Sequence, residues 1–431
     1  MKHAVALCIS LFIWQCWLGS AEAQEASPTP VPAVQMVCID RSGYHPDEMQ
    51  MIARIFNDLS GIEITIEYVA YAEYADQLSE LAATYDVLAL DQIWIAGLAA
   101  NDLIIPLDAR LSRTIKTDIA PAILKAFTYE DTIWAFPFLA NFQVLFYNTD
   151  MLDKSGFEAP PTTLQELLEQ MSTLKEEGIL LYPWTDAWKQ DEGVLSEFLW
   201  LTAAFGGQLF DKKGAPVFDQ EPGVQALEFM VRLLKEQLAD PNILQYDAIA
   251  AKDAFLTGQA AFTTNWLFQI GLVDDPDTSS IVENSEIALM PASEEIKKPT
   301  ASVSAFQGLA ITTSTDNQEA AWKWISFLTS PLVQRAFLFE MPIWTSVQSS
   351  KDAKWLDPLM PLKRKQLANV AHRPNLPNYA EVSRILQAYI HRTLEGRLEA
   401  SKALSDAKTE IEALLQIAPE EEDTGKSEEE E

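Results

Sequence analysis

The sequence predicts an α/β protein of two lobes, with mostly parallel sheets and a hinge crossed by the chain more than once. Three observations carry that prediction. Short apolar strands alternate with helices over residues 34–100. The composition turns predominantly helical after about Asn141, and an apolar strand near Leu309 arrives far down the chain, where it best completes the first sheet.

Residues 34–39 form the first expected strand, and residues 46–59 a helix whose Met49, Ile52, Ala53 and Phe56 recur at helical spacing. A second strand over 62–69, a helix over 74–82, an apolar third strand over 86–90 and a helix over 93–100 follow. This alternation builds a parallel sheet covered on both faces, in which ligands sit beyond the carboxyl ends of the strands. Asp91 stands at one such end. Strands around 133–138 and 144–147 flank Leu139, Ala140, Asn141 and Phe142. Helices are expected over 164–177, 195–205, 223–237 and 248–256, then a strand over 260–264 leading to Asn265 and Trp266, and another over 287–290. In residues 301–336 a small-residue loop enters the strand at Leu309, and a helix follows with Ala320, Ala321, Trp324, Ile325 and Leu328 on one face. The end is helical over 380–395 and 400–415, and no internal repeat is present. The expected division is 34–141 with 291–345 in one lobe, and 142–290 with 346–418 in the other.

At 431 residues the chain suits two lobes, each large enough to bury a core. The 63 acidic and 31 basic residues give a formal charge of -32, which disfavours nucleic acid and anionic lipid and favours a soluble monomer. Lys2, the apolar run 4–18 and the small-x-small Ala21-Glu22-Ala23 read as an export signal over 1–23. An uncleaved anchor is the alternative, although the run is shorter than the roughly 20 residues a membrane helix needs. Lipoprotein processing at Cys16 is not expected, because Trp14 and Gln15 are bulky. Cleavage after Ala23 removes Cys8 and Cys16 and leaves Cys38 as a buried strand thiol, so no disulfide framework exists. Export without disulfides predicts a periplasmic location. Residues 24–33 are a Pro-rich tether, and 419–431 an acidic solvated tail whose Gly425-Lys426-Ser427 is a chance match to a phosphate loop.

Five stretches in register resemble one family: YDVLALDQIW (85–94) with Leu98-Ala99-Ala100 and Pro106-Leu107-Asp108; Trp134-Ala135-Phe136-Pro137 through Asn148; GQAAFTTNW (258–266); residues 301–336; and Arg373-Pro374 with Tyr379-Ala380-Glu381-Val382. The family is the family 1 extracellular solute-binding proteins, the maltose-binding-like receptors of sugar ABC importers, and the subgroup resembled is the trehalose/maltose type. The resemblance implies the type II periplasmic-binding-protein fold, a ligand held between the lobes, closure on binding, and docking on two membrane permease subunits driven by ATPases. It implies no cofactor.

A neutral carbohydrate needs carboxylates or amides for its hydroxyls and aromatic rings for its C–H faces. Asp91 aligns with a family carboxylate; capping the next helix is its alternative role. Trp94 is either a contact or core. Asn141 falls where sugar-binding relatives often have Asp, keeping hydrogen-bonding capacity without charge. Trp266 is the expected stacking ring, and Trp184 and Trp188 lie where relatives present a second one. Gln307 replaces a family Trp, which favours a smaller or more polar ligand. Arg373 matches a bidentate donor, with a salt bridge between the lobes as the alternative. Tyr44 is expected at the cleft mouth, and His45 at a helix start.

Catalysis is not expected. A glycosidase needs two carboxyls flanking one bond, and Asp91 has no obvious second acid. The motifs G-x-S-x-G, H-E-x-x-H and G-x-G-x-x-G are absent, and four histidines supply a triad or zinc site poorly. Asp274, Asp275 and Asp277 lack further calcium ligands at proper spacing, so no metal site is expected. An exported hydrolase and a sensory receptor of the same fold remain as alternatives.

Overall fold

The first sheet grows around an apolar central strand, with an alternating edge strand that turns Glu63, Thr65 and Glu67 to one face. Strands β1 (Ala33–Ile39), β2 (Glu63–Val69) and β3 (Val87–Asp91) are parallel neighbours, and every residue of β3 is buried. The computed structural model describes residues 33–40, 43–296, 301–338 and 340–416. The expected export signal, residues 24–32 of the tether and the acidic tail lie outside these residues. Strands β4 (Phe136–Leu139) and β9 (Gln307–Ile311) complete a five-stranded sheet of order β2-β1-β3-β9-β4. The late strand near Leu309 therefore sits in the first sheet. Both β3–β9 and β9–β4 are antiparallel. The parallel set is the part made by strand–helix alternation; the other two strands arrive from, or leave for, the second lobe.

Helix α1 (Pro46–Ser60) opens on a capping box in which His45 accepts from Asp47 N while its own N–H donates to Glu48, and it ends at Gly61 with φ 70°. Its Met49, Ile52, Ala53 and Phe56 are buried. Phe56 meets Trp324 of α5 (Gln318–Leu328) at 5.3 Å. The helix expected over 74–82 is two short ones, α2 (Tyr71–Asp76) and Leu78–Thr84, broken at Gln77. On the strand behind, a Cβ at Gly308 would lie 2.5 Å from Phe127, so only glycine lets that ring pack against β9.

The second sheet is antiparallel, with β5 (Gln143–Asn148) between β6 (Phe262–Trp266) and β7 (Ser285–Ala288). Helix α4 (Glu192–Ala204) runs through the middle of this lobe and is buried over most of its length. Helices α6 (Tyr379–Leu394) and α7 (Ala400–Leu415) bury the stripes seen in the sequence, including Val382, Leu386, Ile390, Ala403, Leu404, Ala407 and Ile411.

Between the sheets the chain crosses in adjacent segments. Asn141 and Phe142 lead from β4 to β5, and Ala305 and Phe306 lead from β8 (Ser302–Ser304) to β9. Ala305 N donates to Asn141 O at 2.9 Å, and Phe142 pairs with Ser304. Strand β10 (Val370–His372) lies parallel beside β8 and ends immediately before Arg373. No helix among the described residues is long and apolar enough to cross a membrane.

Candidate ligand-binding cleft

Asp91 closes β3 opposite Gln307 of β9, at the carboxyl end where the sheet meets the crossing segments. Its Oδ1 accepts weakly from Ile93 N at 3.4 Å, the capping role read as the alternative. Both of its oxygens also face Arg373: Nη2 donates to Oδ1 at 2.7 Å and to Oδ2 at 2.6 Å. Asp91 and Arg373 are each 4% exposed. Tyr71 of α2 donates to Asp91 Oδ2 at 3.0 Å.

The far side of the guanidinium faces the second lobe. Nη1 lies 3.6 Å from Oε2 of Glu192, the first residue of α4. Glu192 also accepts from Tyr379 at 2.7 Å, from Gln387 at 3.3 Å and from Ser383. Burial works against the charge on Arg373, but Asp91, then Tyr71, Tyr379 and Glu192, hold its pKa well above the ordinary range. Burial, with Asp91 beside Tyr71 and Glu192 beside Tyr379, pushes both phenol pKa values well up, so each hydroxyl stays a donor. The arrangement is one cation between two acids, a bridge from the first sheet to the second lobe. This is the salt bridge read as the alternative for Arg373.

The remaining candidates divide into four groups. Trp266, at the end of β6, is half-buried and lies opposite Gln143. The following Leu267 N donates to Asn141 Oδ1 at 3.3 Å, so Asn141 and Trp266 come together at the crossing. Gln307 and Tyr44 line one small cavity of about 10 Å³, room for one water and not for a sugar ring. Tyr44 is 3% exposed, edge-on to Phe138 at 5.2 Å and tilted on Phe337 at 4.6 Å. Trp94 lies flat on Tyr74 (5.2 Å, 7°) and beside Tyr71, so it braces the tyrosine that touches Asp91. Trp184 and Trp188 are 2% and 1% exposed, packed in the second-lobe core, and their indole nitrogens have no partner.

Tyr71, Glu192, Ser383 and Gln387 of the network were not singled out from the sequence, and Tyr379 only as part of a family-like stretch. A buried arginine requires carboxylates, and that need was the available signal for Glu192. Gly193 marks the same spot, because a Cβ there would meet Ala187 O at 2.7 Å. Among the described residues no three His, Cys, Asp or Glu side chains group as a metal site.

Residues 43–335 match the family model of the bacterial extracellular solute-binding proteins. The chain is similar to a probable ABC transporter-binding protein of Deinococcus radiodurans, 25% identical over 356 residues, covering 79% of this chain and 82% of that one. It also resembles the mannitol-binding protein of Pseudomonas aeruginosa, 22% identical over 65% of this chain and 66% of that protein. Among solved structures, maltose-bound MalE3 of T. maritima superposes with a TM-score of 0.80 at 26% identity, covering 89% of this chain and 99% of that one. A tagatose-bound solute-binding protein of Thermotoga lettingae shares the fold, with a TM-score of 0.79 at 22% identity and coverages of 89% and 100%.

Proposed function

The chain belongs to the bacterial extracellular solute-binding proteins, and on that premise we propose that it is the receptor of an ABC importer for a neutral carbohydrate. The ligand, an oligosaccharide or a sugar-derived solute, is captured between the lobes and passed to the membrane permease without chemical change.

One observation carries the neutral part of this reading. The only cation in the network, Arg373, faces two carboxylates, Asp91 at 2.6 Å and Glu192 at 3.6 Å. With three charges summing to one negative, the site has no spare positive charge for an anionic ligand. What it offers is acceptors and donors for hydroxyls, and the half-buried ring of Trp266 beside Asn141 for a pyranose face. The maltose, tagatose and mannitol of the similar proteins fall in that chemical class.

Isothermal titration of the exported form against maltose, mannitol, ribitol and tagatose tests the reading. Saturable binding with the sugar recovered intact supports it, and small-angle scattering should show a smaller particle with ligand as the lobes close. Hydrolysed product would make the chain an enzyme. Silence across the panel would discard the carbohydrate reading.

A further inference from the structure

We propose that Asp186 and Glu197 share a single proton, and that this buried pair pins the tryptophan loop of the second lobe onto the strand ending in Trp266. The functional half of this proposal rests on the carbohydrate-binding reading; the proton sharing does not.

The geometry at Thr264 carries the argument. Asp186 and Glu197 are 2% and 1% exposed. The Thr264 hydroxyl lies 2.7 Å from Asp186 Oδ2 and 2.8 Å from Glu197 Oε2. A hydroxyl has one proton to donate. With both acids ionised, one of these two contacts would hold no proton at all, a close approach of two oxygens with nothing between them. One carboxyl must therefore be protonated and donate to the hydroxyl, which donates to the other.

The surrounding donors say which is which. Glu197 also accepts from Gln143 Nε2 at 2.8 Å and from Trp200 Nε1 at 2.5 Å. Three donors stabilise its ionised form. Asp186 has Ala187 N at 2.8 Å and only a long contact from Thr264 N at 3.3 Å, so it keeps the proton. Burial pushes both pKa values up, and the neighbouring Glu197 pushes Asp186 further.

Among the described residues, no Lys, Arg or His has a hydrogen bond or ion pair with either acid. The charged groups on adjoining elements are otherwise engaged. Glu192 at the start of α4 faces Arg373. His372 of β10, pushed down to about 4 by burial, stays neutral. His391 of α6 contacts Leu244 O and Glu395, and Arg232 on the helix Glu221–Lys235 pairs with Glu236.

Three elements meet at the pair. Asp186 sits between Trp184 and Trp188, Thr264 is two residues before Trp266, and Gln143 is the strand partner of Trp266. A neutral acid beside an ionised one joins them. Because burial raises both pKa values and Asp186 the further, the joint exists while Glu197 is ionised and Asp186 still holds its proton, and it is lost as pH rises through the Asp186 value. Two adjacent buried anions then repel and release the loop.

Infrared difference spectra of the whole chain, with Asp186→Asn as reference, test the proton directly. In the wild-type minus Asp186→Asn difference a protonated-carboxyl carbonyl band should be present at low pH and fade as pH rises through the raised Asp186 value, the band of Glu340 cancelling because both proteins carry it. Hydrogen exchange in residues 183–188, corrected for the intrinsic rate, should rise about tenfold over the same range in the wild type and stay within about twofold in Asp186→Asn. Maltose titrations should show affinity falling about tenfold with pH in the wild type, and less than about threefold in the variant.

A missing band, or equal pH dependence in both proteins, overturns the pair. If the band and exchange behave as stated while maltose and the other panel sugars give no heat, the carbohydrate reading fails and the proton sharing stands.

Discussion

Replacing Arg373 with methionine tests the bridge on which the site depends. The side chain donates to both oxygens of Asp91 at 2.6 and 2.7 Å, faces Glu192 at 3.6 Å, and is 4% exposed. Methionine fills much of the same volume but leaves the buried Asp91, and the partly exposed Glu192, without their cation. Breaking a buried pair from one side costs about 3–5 kcal/mol. That is a large part of the roughly 5–15 kcal/mol by which proteins are stable. Changing Asp91 to asparagine as well removes one stranded charge, so the double variant should recover about 2 kcal/mol relative to the sum of the singles. Urea unfolding of the four proteins, followed by tryptophan fluorescence and far-ultraviolet circular dichroism, gives the cycle. A loss below about 1 kcal/mol for Arg373→Met, the range of an exposed pair, would refute the reasoning. So would additivity of the two changes.

Trp266→Ala should weaken binding of the panel sugar that binds the wild type by more than about tenfold, with an unchanged circular dichroism spectrum; equal affinity by titration would remove its stacking role. Glu340, pushed up to about 7 chiefly by burial, is neutral when folded at low pH and ionises as pH rises from 4.5 through about 7, so stability falls over that window. Glu340→Gln should flatten this fall, a gain of up to about 3 kcal/mol above pH 7 by urea unfolding at stepped pH. Cys38, buried and pushed up to about 12, should resist iodoacetamide at about pH 8 until urea unfolds the chain, as peptide mapping would report.

The fold was legible because its signals are local. The apolar run of β3 and the helical face of Met49, Ile52 and Phe56 require burial wherever they occur. Strand β6 was read as 260–264 but runs Phe262–Trp266, because Asn265 reads as a loop residue that ends the strand, whereas Thr263, Thr264 and Asn265 all lie within it. They are buried there, with Thr264 held between two acids and Asn265 by Gln269. The site was less legible. Strand-end position marks Asp91, but its partner Arg373 is 282 residues away, and nothing near Arg373 says which acid it meets. Trp184 and Trp188 show the opposite limit. Their types and loop suggest display to a ligand, while the loop's burial depends on Asp186, whose neutral state no pattern reveals.

The crossing segments have a mechanical consequence. Asn141 is bonded to Ala305, Phe142 to Ser304, and Ser304 Oγ lies 2.8 Å from His372 Nδ1. Gln92, just past β3, clasps the same Ser304 at 2.9 Å. Leaves bolted edge to edge bend together or not at all. They yield easily about the line across them and resist shear and twist. Bending of the two sheets about that line is therefore the relative motion these contacts oppose least.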